Sequence, residues 1–105
     1  MVISQFDVFR NPRNKAEFPF LLAVQHDLLD SLSLRVVVPL VPKASFAQRP
    51  AARLNPVFTV DGTAVVMLTQ MIGAVRVSTL SKKVTNLAAK RSEIIGALDV
   101  LFTGV

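Results

Sequence analysis

With 105 residues, 51% of them hydrophobic, the chain has material for one core and is long enough to bury roughly two-thirds of its unfolded surface. The absence of cysteine excludes a disulfide framework and thiolate chemistry, and a single histidine, His26, excludes a metal site or proton relay built on paired histidines. The formal net charge of +5, twelve Lys plus Arg against seven Asp plus Glu, favours an acidic partner.

The cations are dispersed, no five-residue block is basic, and neither Tyr nor Trp is present to stack on bases. Nucleic-acid recognition therefore ranks below an acidic protein partner or a merely solvated surface. No apolar run approaches ~20 residues, so no membrane span is expected. The first residues lack the basic start and apolar stretch of a signal peptide, and Asp7 interrupts them early, which points to the cytoplasm. The apolar surplus favours a homodimer.

In chain order, residues 3–9 alternate as a first strand with Phe6 and Val8 inward. Asn11, Pro12 and Asn14 form a turn in an exposed basic loop, and residues 18–25 supply a second strand that completes a hairpin. Asp27 and Asp30, beside a strand end, suit turn and cap positions. The valine-rich residues 34–40 form a third strand closed by Pro39 and Pro42. Residues 43–55 read as a long connection with one short helical turn. Phe58 and Val60 pair across Asp61-Gly62 with Val65 and Met67, a type I′ hairpin signal. Val75 and Val77 mark a further strand after Gly73.

Apolar residues then recur at helical spacing: Val84, Leu87, Ala88, Ile94, Ile95, Leu98, Leu101 and Phe102. Gly104 suits the left-handed position that ends a helix. A helix ending there leaves Phe102 and Val105 hard to bury, and favours a nearby cation at the negative end of its dipole. The expectation is one domain, 1–105, with five or six mostly antiparallel strands within 1–80 and a helix over about 82–102. The fold class is mainly β with one C-terminal α-helix: a small barrel or strongly curved sheet.

The chemistry-bearing residues are sparse. His26 reads as a surface or interface histidine, since Asp27 beside it faces away if both are extended. Met67, Met71 and Ile72 read as core packing. Lys82-Lys83 and Lys90-Arg91 read as the solvated side of the helix. No phosphate-binding glycine loop and no nucleophile elbow occurs. An Arg with Thr or Asp is able in principle to assist RNA cleavage, but no spacing singles out such a set. Binding outranks catalysis, with no catalytic residue, metal or cofactor expected.

Several segments carry a resemblance. Val24-Gln25-His26-Asp27-Leu28-Leu29-Asp30 followed by Arg35-Val36-Val37-Val38-Pro39-Leu40 resembles the CcdB toxin family, in which V-Q-S-D-[IL]-[IL]-D precedes R-x-V-I-P-L. The likeness continues through Leu54-Asn55-Pro56-Val57, Met67-Leu68-Thr69 and Ala74-Val75-Arg76-Val77-Ser78 to Leu101-Phe102-Thr103-Gly104-Val105. These pieces are colinear over essentially the whole chain.

The resemblance implies an SH3-like barrel of the CcdB/MazF type with antiparallel sheets, a homodimer, and the toxin half of a toxin–antitoxin pair. It implies a dimer that docks on the DNA gyrase A subunit and traps gyrase with cleaved DNA. A CcdA-like antitoxin with a disordered acidic C-terminal arm neutralises it, and operator DNA is reached only through the antitoxin. Carried over residue by residue, the implied gyrase contacts are Leu28, Leu29, Asp99, Phe102, Thr103, Gly104 and Val105. Asp99 stands where the family has asparagine. Thr103 stands where the best-known member has tryptophan, and forfeits an aromatic contact worth about 1–3 kcal/mol. Successive extended residues alternate, so one of Leu28 and Leu29 is expected inward and the other outward. Leu101 is expected in the core or a dimer interface, and the leucine pair and the tail are expected to join in one apolar patch. Two other readings stand beside this one: a MazF-like endoribonuclease on the same barrel, and an inactive family member that only binds antitoxin.

Overall fold

The central strands carry apolar side chains on both faces, and the rest of the chain is arranged to cover them. The computed structural model describes residues 2–13 and 16–105; Asn14, part of the expected basic loop, lies outside the described residues. The described residues form seven strands: β1 (Asp7–Arg10), β2 (Phe20–Ala23), β3 (Leu34–Pro42), β4 (Val57–Val60), β5 (Thr63–Met67), β6 (Gly73–Arg76) and β7 (Lys83–Asn86). They form a curved half-barrel in the order β4-β5-β3-β2-β1-β7, with β6 paired to β3, and every ladder is antiparallel. One helix, α1 (Arg91–Thr103), completes it. The expected fold class, mainly β with a C-terminal helix in a small barrel, is the one observed.

Side-chain alternation explains the two-sided burial. Val8, Phe20, Leu22, Val24, Val38 and Leu40 enter the main core, together with Phe6 and with Ile94 and Ala97 of α1. The intervening Phe9, Leu21, Ala23 and Val37 enter a second core on the opposite face with Ile3 and Leu80. A strand buried on both faces loses its polar alternation, which is why residues 20–24 are an uninterrupted apolar run. The expected inward placement of Phe6 and Val8 holds, and Phe9 is equally buried on the other side.

The β4–β5 hairpin follows the local signal. Asp61 and Gly62 have φ of 51° and 77°, so both central residues adopt the positive φ of a type I′ turn. The third strand runs longer than expected, through Pro39 to Pro42. Pro39 lies between Leu34–Val37, which pair with β6, and Leu40–Pro42, which pair with β5. Its missing N–H falls at the break between two partner strands, and its carbonyl accepts from Leu68 N at 3.0 Å.

The C-terminal segment departs most from its pattern. Residues 83–86 are a strand, not the first turn of a helix over about 82–102, and the helix begins at Arg91. Val84, Thr85 and Asn86 are poor helix formers, and β1 offers them a free edge with registers Asp7↔Asn86 and Val8↔Thr85. The strand count among the described residues is accordingly seven rather than five or six. Lys82 and Lys83 are not on a helix face: Lys83 Nζ lies 3.1 Å from the carboxylate of Asp7. The Asn86 side chain then accepts from Ala88 N at 2.7 Å and turns the chain into the 3-10 turn Ala88–Lys90 and on to α1.

Asp7 is the polar junction of this arrangement. It is fully buried, accepts from Ser4 N at 2.8 Å and from Asn86 Nδ2 at 2.9 Å, and pairs with Lys83. Replacement Asp7→Ala strands those donors and is expected to destabilise the fold by about 2–3 kcal/mol. Lys83→Ala, which removes a cation 48% exposed, is expected to cost less than about 1 kcal/mol. Urea unfolding midpoints at one fixed protein concentration check both; equal losses would contradict this division of roles.

Candidate functional site

Two segments carry most of the exposed large apolar side chains, the others being Val2, Val57 and Met71. The first follows β2. His26 adopts extended backbone and its Nδ1 accepts from Leu28 N at 3.0 Å, capping the 3-10 turn Asp27–Leu29. Asp27 does not orient the imidazole; its Oδ1 accepts from Gln5 N at 2.7 Å. His26 is exposed, as its surface reading requires.

Leu28 is 85% exposed and Leu29 48%. The expected division of this pair into one inward and one outward residue is not observed. In a 3-10 turn successive side chains step by about 120° rather than alternating by 180°, and no element covers this turn. Leu32 and Leu34 are also about half exposed. Leu34 opens β3, as its strand spacing predicts, whereas Leu32 is marked by no motif or period. The available signal was three leucines, Leu28, Leu29 and Leu32, within residues 24–33 between β2 and β3, where no strand face needs them.

The second segment is the end of α1. Ile94 and Ala97 are buried in the main core, and Ile95 and Leu98 pack partly against it. Leu101 is half buried, whereas Asp99, Phe102, Thr103, Gly104 and Val105 are exposed. Gly104 has φ of 81° and donates to Val100 O at 3.0 Å, the left-handed ending expected from its position. Thr103 Oγ1 donates to Asp99 O at 2.7 Å, so its hydroxyl is turned back onto the last helical turn. The Asp99 carboxylate has no hydrogen-bond or ion-pair partner among the described residues. No Lys or Arg lies in that last turn, so the end of α1 is electronegative as well as apolar.

The fold therefore brings Asp99 and residues 102–105 together on one helix end and Leu28 with Leu29 on one turn. Both segments are rooted in the same core, through Val24 before the turn and Leu98 on the helix. No hydrogen bond or ion pair among the described residues joins them. Met71, expected in the core with Met67, is half exposed on the 3-10 turn Thr69–Met71 beside α1, while Met67 is fully buried.

A cavity of about 270 Å³ between the β1–β2 loop and β6 is bordered by Arg13 and Arg76 and lined by no carboxylate or imidazole. Among the described residues, no helix is long and apolar enough to cross a membrane. Fold and surface thus define a class: a small antiparallel half-barrel with a C-terminal helix that displays apolar side chains on a turn and a helix end. The family model described as CcdB protein matches residues 5–104. The chain belongs to the CcdB family, the toxins of toxin–antitoxin systems. The match includes every residue of both exposed segments named above except Val105.

Gly104 offers a check on the helix end. A Cβ there would meet nothing within 4 Å, so only the positive φ opposes a side chain. Gly104→Ala is expected to weaken the last turn by about 1 kcal/mol and speed amide exchange at Thr103 and Gly104. Exchange at Ile94 and Ala97 in the buried part of α1 should stay as in the parent protein.

Proposed function

We propose that this protein is a non-enzymatic poison of DNA gyrase. It acts in the cytoplasm as a homodimer, docks on the gyrase A subunit through Leu28, Leu29 and the end of α1, and holds gyrase on cleaved DNA. A cognate antitoxin with a disordered acidic C-terminal arm neutralises it, and operator DNA is engaged only through that antitoxin. The net charge of +5 suits such an arm.

The observation that carries this reading is the exposure of Phe102 (68%) and Val105 (74%) at the end of the helix in a member of this family. An aromatic and an aliphatic side chain left exposed together at a helix end form an apolar patch of the kind that a partner covers. Burying Phe102 supplies on the order of 1.5–3 kcal/mol. Thr103 adds no aromatic area, and its hydroxyl already has an internal acceptor. Phe102 is therefore the anchor and Thr103 a minor contact. The unpartnered Asp99 charge selects for a cationic group on the target.

Incubation with a bacterial gyrase, ATP and plasmid DNA is expected to accumulate cleaved DNA after denaturation. No cleaved DNA at saturating dimer would sink the proposal. Phe102→Ala is expected to weaken trapping roughly 10- to 100-fold, and Thr103→Ala less than about threefold. A labelled RNA incubated with the protein alone should remain intact; its cleavage would favour an endoribonuclease instead.

A further inference from the structure

The turn that displays Leu28 and Leu29 is held from behind by two polar side chains. Arg35, the second residue of β3, is only 6% exposed. Its Nη1 donates to Leu32 O at 2.6 Å and Leu34 O at 3.1 Å, and its Nη2 to Asp30 O at 2.6 Å. No carboxylate lies within ion-pair distance of it among the described residues. Burying a guanidinium without a counter-charge is costly unless its donors are satisfied. Here the satisfaction comes from three carbonyls of one short loop, so the charge is committed to the shape of residues 30–34.

Gln25 ties the same loop from its other side. Its Nε2 donates to Leu29 O at 3.1 Å and Leu34 O at 3.3 Å, and its Oε1 accepts from Val36 N at 3.0 Å. The two side chains together bind four carbonyls of a segment in which every residue from 27 to 34 is exposed. Its leucines are about half exposed or more, so little apolar packing of its own defines its conformation. Left to itself, a loop bearing four leucines samples many conformers, and any partner must bear the cost of ordering it.

Building on the docking role proposed above, we infer that Arg35 and Gln25 are positioning residues for the leucine turn. They touch no partner. They fix the backbone from which Leu28 and Leu29 project, so that docking proceeds without ordering the loop first. The guanidinium is suited to this because its planar fork of donors reaches three acceptors at once, which a lysine ammonium on a flexible stem does not reproduce.

The test is a double-mutant cycle read as affinity for the purified gyrase A subunit. Arg35→Lys and Gln25→Ala are each expected to weaken binding about tenfold. In a Leu28→Ala/Leu29→Ala background the same changes should cost less than about twofold, because the side chains they position are gone. Val60→Ala, a core change remote from the loop, serves as a control of lowered stability and should bind as the parent does. Unchanged affinity in Arg35→Lys and Gln25→Ala, or an equal loss in both backgrounds, overturns the inference. If Arg35→Lys does not fold, the Gln25→Ala cycle decides alone. Failure of the parent protein to bind the gyrase A subunit instead overturns the docking reading, and this inference with it.

Discussion

Two-sided burial of β1, β2 and β3 is the constraint from which the other features follow. Val8, Leu22 and Val38 face one core, and Phe9, Leu21 and Val37 face another. Neither set can be left to water, so each face of the curved sheet needs a cover. On one side α1 contributes Ile94 and Ala97; on the other, Ile3, Leu80 and the partly buried Val75 and Val77 close over the strands. The helix is fixed by its covering task. It is long enough to roof the main core, and its last turn projects beyond that roof, which leaves Phe102 exposed while Ile94 is fully buried. The apolar end is thus a consequence of where the core stops.

Polar groups complete the fold at places where apolar packing cannot. Buried Asp7 gathers a backbone amide, an asparagine amide and a lysine at the meeting of β1 and β7. Buried Arg35 gathers carbonyls of a loop that has no core of its own. Asn55 donates to Met67 O and to Gln70 Oε1, closing the long 43–55 connection onto β5. In each case a side chain with several donors or acceptors substitutes for regular ladder bonds where the chain leaves the sheet, because buried backbone groups must find partners. No buried side-chain nitrogen or oxygen among the described residues is left without one.

These two devices separate stability from binding. The leucines of residues 28–34 and the tail of α1 contribute little to the core and carry most of the exposed large apolar side chains, with Val2, Val57 and Met71 exposed elsewhere. Exposed apolar patches of this kind mark candidate interaction sites. At the tail, Thr103 folds its hydroxyl back to Asp99 O, so the exposed apolar area there belongs to Phe102 and Val105.

Much of this was legible in the residues. Asp61-Gly62 specified its hairpin, since few residue pairs tolerate two successive positive φ values. Gly104 specified the helix end for the same reason, and the apolar runs at 18–25 and 34–40 specified strands. Those are properties of adjacent residues and depend on nothing distant. What the tertiary structure alone decided was non-local. Val84 and Leu87 carry the spacing of a helix, yet the free edge of β1 claims residues 83–86, a pairing between positions more than seventy residues apart. Leu28 and Leu29 carry no mark that says both are exposed, because that depends on which elements fail to reach them. Arg35 reads as an ordinary surface cation until the fold surrounds it with carbonyls. Local spacing determines conformation where one conformation is strongly preferred; burial and strand pairing are decided by the rest of the chain, since they are contributed by neighbours that sequence distance does not reveal.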